Sequence, residues 1–96
     1  MKIYYVYILK CSDKTFYTGI TSNLTKRIMD HKTGKHTSSY TYKRRPVTLQ
    51  FYAQFTNVEL AISTEKQIKK WSRAKKLALI NNDFEKLPNL AKKTFK

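Results

Sequence analysis

The stretch that decides the fold is residues 3–21, which read IYYVYILKCSDKTFYTGIT. Two runs rich in Tyr, Val, Ile and Phe, Ile3–Leu9 and Phe16–Thr21, flank the polar segment Ser12–Lys14. Aromatic and β-branched residues on both sides of a short polar segment are typical of a β-hairpin. We therefore predict two antiparallel strands joined by a turn.

After the hairpin, a capping residue and a terminating glycine delimit a short amphipathic helix. Ser22 or Asn23 can cap its start, Leu24 and Ile28 point inward, and Gly34 marks its end. Residues 32–46 are small, polar and basic, and they precede a proline that disfavours helix, so they are expected to form a loop.

The second half of the chain predicts one strand and two helices. From Val47 to Phe55 the residues alternate strictly, which predicts a half-buried strand with its apolar side chains on one face; these are Val47, Leu49, Phe51, Ala53 and Phe55. Asn57 can cap a long helix that runs to about Trp71, and Ser72 can cap a shorter one. The expected fold class is α+β: a small three-stranded antiparallel sheet flanked by helices, in the order β-β-α-β-α-α, over residues 1–80, with a loosely packed tail at 81–96.

Composition points to an anionic partner. The 96 residues contain 20 Lys and Arg against 6 Asp and Glu, a formal net charge of +14, yet 41% are hydrophobic, which is enough for one core. Such a charge is most often compensated by nucleic acid phosphate. No apolar run approaches the roughly 20 residues that span a bilayer, and Ile3–Leu9 is too short for a signal peptide. We expect a cytoplasmic protein without a membrane partner. The single Cys11 can form neither an internal disulfide nor a thiolate metal site, and a packing role is expected for it.

Two groups of polar side chains are candidates for chemistry. Tyr7 and Tyr17 lie near each other if the hairpin pairs around its polar turn. Gly19, in the same strand as Tyr17, indicates close approach by a backbone or ligand. Arg27 and His31 are four residues apart and project from one side of the first helix. The alternatives are half-buried packing tyrosines and a surface arginine that extends past an apolar stripe.

Glu65 differs from the other carboxylates in its position. It flanks the apolar stripe of its helix, between Ala61 and Ile68, and so is directed toward the edge of the sheet. The alternative is an ordinary ion pair with Lys69, four residues later on the same helix. Position alone leaves both open.

Taken together, these residues resemble the GIY-YIG nuclease superfamily. The resemblance lies in Tyr5-Val6-Tyr7, Tyr17-Thr18-Gly19, Leu24-x-x-Arg27-x-x-x-His31 and Glu65-x-x-Ile68-Lys69. It extends over roughly residues 3–80. Segments Tyr42–Val47 and Ser72–Leu77 are similar to those of its small, single-domain bacterial branch. The chain departs from the family pattern at Tyr5-Val6 and Thr18, where the family has Gly-Ile and Ile, and only Asn81 or Asn82 could stand for a late family asparagine.

The resemblance implies metal-dependent hydrolysis of a nucleic acid phosphodiester. Glu65 would hold one divalent ion, Mg²⁺ or Mn²⁺, Arg27 would pair with the scissile phosphate, and Tyr7 and Tyr17 would position or deprotonate the attacking water. His31 matches a helper position. DNA is the favoured substrate and RNA the alternative, for a monomer that obtains specificity from a partner protein or from substrate structure.

A basic surface supports a second hypothesis, a nucleic-acid-binding module without hydrolysis. The loop and the last helices carry many unpaired positive charges, including Lys66, Lys70, Lys75 and Lys76. Expected phosphate and base contacts are Lys35, His36, Tyr40, Tyr42, Lys43, Arg44, Arg45, Lys69 and Arg73. A solvated helix face is the plain alternative for the lysines. A third class, a structural partner of an acidic protein, leaves the spacing of Tyr, Arg and Glu unexplained.

Overall fold

The first strand of the chain becomes the centre of the sheet. A computed structural model describes residues 2–82. Strand β1 (Tyr4–Lys10) pairs antiparallel with β2 (Phe16–Thr21) on one side and with β3 (Thr48–Phe55) on the other, so the strand order is β2-β1-β3. The hairpin register places Tyr7 opposite Gly19. The predicted α+β class, the three-stranded antiparallel sheet and the element order are confirmed.

Each helix begins at a side chain that caps it. The Asn23 side chain accepts from the Lys26 N–H at the start of α1 (Leu24–Thr33), which ends at Gly34 with φ of 72°. Asn57 caps α2 (Val58–Lys69) through the Leu60 N–H, and Ser72 caps α3 (Arg73–Ile80). Asn81 ends α3, with Asn82 directly after it. A cap of this kind contributes about 1 kcal/mol, and the predicted helix boundaries are confirmed to within two residues.

Both faces of the sheet are covered. On one face Val6, Ile8 and Phe55 pack against Ala61 and Ile68 of α2 and against Ala78 and Leu79 of α3. On the other face Tyr7, Leu9, Cys11 and Val47 form a smaller cluster beneath Leu24 and Ile28 of α1. Because side chains alternate across a strand, β1 supplies residues to both clusters.

One part of the β3 prediction is wrong. Phe51 pairs with Ile8, but the next pair is Leu49 with Leu9, so Gln50 is an extra residue in a β-bulge. A bulge inserts one residue without a partner and so changes the face of everything beyond it. Phe51, Ala53 and Phe55 share one face as predicted, whereas Leu49 and Val47 lie on the Tyr7 face.

The segment between α1 and β3 contains one short 3₁₀ turn, Tyr42–Arg44, within the predicted loop.

Within residues 2–82 no helix is both long and apolar enough to cross a membrane. The predicted tail lies outside the described residues from position 83 onward.

Candidate active site

Tyr7 is the deepest residue of the candidate site. Its side chain is fully buried, and its Oη lies 2.9 Å from Nε2 of His31. The ring lies against Gly19 in the neighbouring strand, where a Cβ atom would come within 2.4 Å of the Tyr7 hydroxyl oxygen. The close approach that a strand glycine indicates is therefore made by the tyrosine side chain.

His31 connects Tyr7 to the loop that follows α1. It is 5% exposed, and its Nδ1 lies 2.7 Å from Oγ1 of Thr41, which is 1% exposed. Burial, reinforced by the positive charge of Arg27, lowers the pKa of His31 below its ordinary value of 6.5. The imidazole is therefore neutral at physiological pH.

Tyr17 lies between His31 and solvent. Its ring centroid is 5.1 Å from that of His31 and 6.4 Å from that of Tyr7. On its other side it stacks on Tyr40, with centroids 6.0 Å apart and an interplanar angle of 24°, and the Arg44 guanidinium covers Tyr40 at 3.9 Å. These rings separate two surface clefts, so Tyr17 is accessible from both.

The larger cleft, of about 490 Å³, contains the arginine of the candidate site. It is lined by Tyr17, Arg27, His36, Ser38, Ser39 and Tyr40. Arg27 is half-buried and hydrogen-bonds to Tyr7, and this contact opposes the rise in the pKa of Tyr7. Its Nε is buried without a hydrogen-bond partner among residues 2–82.

The groups around Tyr7 shift the pKa of its hydroxyl group in opposite directions. Burial raises that pKa from 10.0 to about 12, and the hydrogen bond from Arg27 opposes the rise. Tyr17 and Glu65 raise it further, because each disfavours a second negative charge nearby. Residues from β1, β2, α1 and α2 thus act on one hydroxyl group.

Glu65 satisfies both interpretations of its position. It is 7% exposed, it acts on Tyr7 through its charge, and it is ion-paired with Lys69 at 2.6 Å. The same ion pair raises the pKa of Lys69. Lys69 in turn lines the second cleft, of about 310 Å³, together with Tyr17 and Lys76. Glu65 is thus linked to the second cleft through Lys69, and its charge acts on Tyr7.

The described residues offer a divalent ion a single carboxylate, that of Glu65. Among residues 2–82 no three or more His, Cys, Asp or Glu side chains cluster as a metal-binding group. A closed Zn²⁺ or Ca²⁺ cage therefore does not fit the described residues. Mg²⁺ keeps several waters and binds through one or two carboxylates plus substrate phosphates, and the single carboxylate of Glu65 fits that mode.

The three arginines among the predicted nucleic-acid contacts already interact with other groups of the protein. Arg44 pairs with Asp13 at 3.1 Å and donates to the Tyr40 carbonyl. Arg45 donates to the Tyr42 carbonyl and lies over its ring, and Arg73 donates to the Lys14 carbonyl. Lys35, His36, Lys43 and Lys69 are exposed on the surface, and of these Lys35 and His36 lie near Asp30 while Lys69 pairs with Glu65. A role for any of them in binding nucleic acid stays a prediction.

Sequence reasoning missed Thr41 and the role of Asp30. Thr41 lies in a loop where no periodicity marks an inward side chain. Asp30, at the end of α1, is a buried carboxylate 3.1 Å from Lys26 and 4.0 Å from Lys35. The contact with Lys35 attaches the loop to α1, and the basic residues four before and five after Asp30 were the available signal.

Comparison with known proteins identifies the family of this chain. The profile of the GIY-YIG catalytic domain matches residues 3–78. A UPF0213 protein of Syntrophus aciditrophicus is 48% identical over 83 residues, covering 86% of this chain and 95% of that protein. The solution NMR structure of a UPF0213 protein from Bacillus halodurans is 35% identical with a TM-score of 0.56, over 98% of this chain and 99% of that one. A solution NMR structure from E. faecalis is 30% identical with a TM-score of 0.61, over 93% and 94% of the two chains. The chain belongs to the GIY-YIG family and, within it, to the small bacterial UPF0213 proteins.

Proposed function

We propose that this protein is a divalent-metal-dependent endonuclease that hydrolyses DNA phosphodiester bonds. The observation that carries the proposal is the meeting of Tyr7, Tyr17, Arg27 and His31, which come from three elements, with Glu65 of α2 linked to them through Lys69 at the second cleft. Packing alone gives no reason for a half-buried arginine and a buried histidine to meet at a buried tyrosine hydroxyl. Membership of a catalytic-domain family that acts on nucleic acid supports the same function.

Arg27 is the residue that meets the scissile phosphate. It lines the larger cleft, and its buried Nε has no partner within residues 2–82. A buried donor without a partner costs about 1–3 kcal/mol. A phosphate oxygen held against Arg27 removes that cost and receives positive charge where negative charge develops in the transition state.

The two tyrosines divide the handling of the attacking water. Tyr17 borders both clefts and orients the water, whereas Tyr7 lies beneath it as the inner proton acceptor. Because the pKa of Tyr7 is about 12 and that of His31 is below 6.5, Tyr7 stays a neutral hydroxyl at rest. Tyr7 takes the water proton only as it gives its own proton to His31 Nε2, so no free phenolate is needed.

Glu65 is the residue that would hold the divalent ion, probed as Mg²⁺ or Mn²⁺. When bound, such an ion supplies Lewis-acid stabilisation of the phosphoryl oxygens. Glu65 has one carboxylate, it is mostly buried, and Lys69 occupies it at 2.6 Å. The ion could therefore bind only if the Lys69 ammonium group moved away from Glu65. Lys69 remains beside the second cleft, where it neutralises substrate phosphate instead.

The proposed substrate is attracted mainly through its phosphates. The net charge of +14 and the exposed lysines supply sequence-independent phosphate attraction, with DNA favoured and RNA as the alternative. Sequence selectivity requires a partner protein or a distinctive substrate structure. The protein acts as a monomer in the cytoplasm.

One observation favours a second function, a basic binding module without hydrolysis. The carboxylate nearest the tyrosines is already neutralised by Lys69 at 2.6 Å. If Lys69 does not yield, Glu65 is a structural ion-pair partner, and the clefts serve only to bind nucleic acid.

A cleavage panel separates the two functions. Purified protein is incubated with linear, nicked, flapped and branched DNA and with RNA, in Mg²⁺, Mn²⁺ or EDTA. The nuclease proposal expects cleavage of at least one substrate with metal and none with EDTA. Binding without cleavage of any substrate in either metal supports the binding module instead.

A further inference from the structure

The His31 ring uses both of its nitrogens inside the protein. Nε2 lies 2.9 Å from Tyr7 Oη, and Nδ1 lies 2.7 Å from Thr41 Oγ1. Thr41 Oγ1 lies in turn 3.2 Å from the Ser39 hydroxyl oxygen, and Ser39 lines the larger cleft. The side chains of Tyr7, His31 and Thr41 are all at least 95% buried. A chain of four hydrogen-bonding groups therefore leads from the deepest tyrosine to the cleft.

The direction of this chain follows from what each group can donate. Arginine has donors only, and Arg27 hydrogen-bonds to Tyr7, so the Tyr7 oxygen accepts there. The Tyr7 proton then needs another acceptor, and His31 Nε2 is within reach. A neutral imidazole carries one proton, so it resides on Nδ1 and is donated to Thr41 Oγ1. A Thr41 hydroxyl that accepts this proton is free to donate its own to Ser39 Oγ, 3.2 Å away.

We propose that Thr41 is a positioning residue of this site, which accepts the Nδ1 proton of His31 and so holds Nε2 free to take the proton of Tyr7. The proposal deepens the proposed function, on which its catalytic consequence rests. The proton that leaves Tyr7 Oη becomes the Nε2 proton of an imidazolium. The other proton stays on Nδ1 and remains hydrogen-bonded to Thr41 Oγ1 throughout. One hydroxyl thus serves both charge states of His31.

The loop fixes Thr41 for this role. Its backbone N–H donates to the Ser39 hydroxyl at 3.4 Å, and the Tyr42 N–H donates to the Ser39 carbonyl at 3.1 Å. The ionisable groups around His31 are Tyr7 from β1, Tyr17 from β2, Arg27 and Asp30 from α1, and His36 from the loop. Asp30 is engaged by Lys26, which leaves Thr41 as the observed partner of Nδ1. If Thr41 only filled space, valine, which has nearly the same shape, could replace it without changing the protonation of His31.

The test reads the tautomer directly and needs no nucleic acid. The chain has two histidines, so ¹⁵N NMR of the imidazole nitrogens at neutral pH gives two ring systems, and His36→Gln identifies that of His31. We expect Nδ1 of His31 to carry the proton and Nε2 to resonate as an unprotonated nitrogen. A His31 ring protonated on Nε2 overturns the proposal, whether or not the protein cleaves nucleic acid.

Three variants separate positioning from packing. Thr41→Val is expected to move a substantial share of His31 to the Nε2–H tautomer, and Thr41→Ser to restore the wild-type spectrum. Thr18→Val is the matched control, because Thr18 is also a buried threonine and its hydroxyl has no partner among residues 2–82. It should leave the His31 signals unchanged. A wild-type tautomer in Thr41→Val overturns the proposal; if that variant fails to fold, the wild-type and Thr41→Ser spectra decide.

Catalysis supplies an independent second readout. General base catalysis contributes about 10²–10⁴-fold to a rate, so Thr41→Val should lower kcat by about tenfold or more with little change in KM. Thr41→Ser should recover most of the loss. If the tautomer is as expected and no variant or wild-type protein cleaves anything, the proposed function fails and the positioning role stands as a structural fact.

Discussion

Gly19 is the position where one methyl group tests the packing beneath the site. It faces Tyr7 across the β1–β2 pair, and a Cβ atom there would lie 2.4 Å from Tyr7 Oη and 2.5 Å from Cζ. Among the described residues the glycine with positive φ is Gly34, at 72°, and not Gly19. An alanine at position 19 therefore introduces no backbone strain. The contact with Tyr7 is therefore the expected cause of any destabilisation.

The expected magnitude follows from two opposing contributions. Overpacking a filled site costs about 1–3 kcal/mol, and removing a strand glycine returns about 0.5–1 kcal/mol. Tyr7 has little room to retreat, because His31 holds its hydroxyl and Tyr17 lies against its ring. We expect a net loss of about 1–2 kcal/mol, which in a domain of this size lowers Tm by about 4–16 °C.

Thermal unfolding followed by circular dichroism measures this loss, and a double-mutant cycle assigns it. In a Tyr7→Leu background the atoms that meet the new methyl group are gone, so Gly19→Ala should cost less than about 0.5 kcal/mol. The coupling energy should therefore be about 1 kcal/mol or more. The reasoning is refuted if Gly19→Ala melts like the wild type, or if its cost is the same in both backgrounds.

Two further predictions concern pH and salt. The pKa of Tyr7 is about 12 in the folded protein against 10.0 as a free side chain, so its contribution to stability is fully present below pH 10 and is lost as pH rises through 12. Two pKa units correspond to roughly 3 kcal/mol, so urea unfolding should show that much additional loss over this range in the wild type compared with Tyr7→Phe; equal losses contradict the assigned pKa. Binding to DNA should weaken steeply and almost equally for all sequences as salt rises, and Lys43→Ala should reduce the log–log slope by about one; a wild-type slope near zero means that the charge does not serve phosphate binding.

The local signals in the sequence predicted most of the fold because they act within a few residues. Caps at Asn23, Asn57 and Ser72 fix the helix starts wherever the helices lie. The bulge at Gln50 was not predictable in this way, because it depends on how β3 pairs with a strand forty residues earlier. A strictly alternating sequence gives no sign of one extra residue in the ladder.

The candidate site could be predicted only in outline. The tyrosines, Arg27 and His31 follow from hairpin pairing and from spacing along one helix, which are local geometry. The depth of the site was not predictable from local patterns, because burial depends on tertiary packing: Tyr7, His31 and Glu65 are nearly or fully buried. Thr41 reaches His31 from a loop, and loop paths depend on tertiary contacts that no periodic pattern encodes.

The central claim is that Glu65 serves metal-dependent cleavage rather than only pairing with Lys69. Glu65→Gln keeps the size of the side chain and removes its charge, and Glu59→Gln makes the same change at an exposed position of the same helix. Cleavage in Mg²⁺ and DNA affinity in EDTA are measured for both variants and for the wild type, after equal melting temperatures have been established within about 0.5 kcal/mol of stability. The account predicts that Glu65→Gln loses cleavage at unchanged or tighter affinity while Glu59→Gln retains both. Wild-type cleavage rates in Glu65→Gln would contradict it.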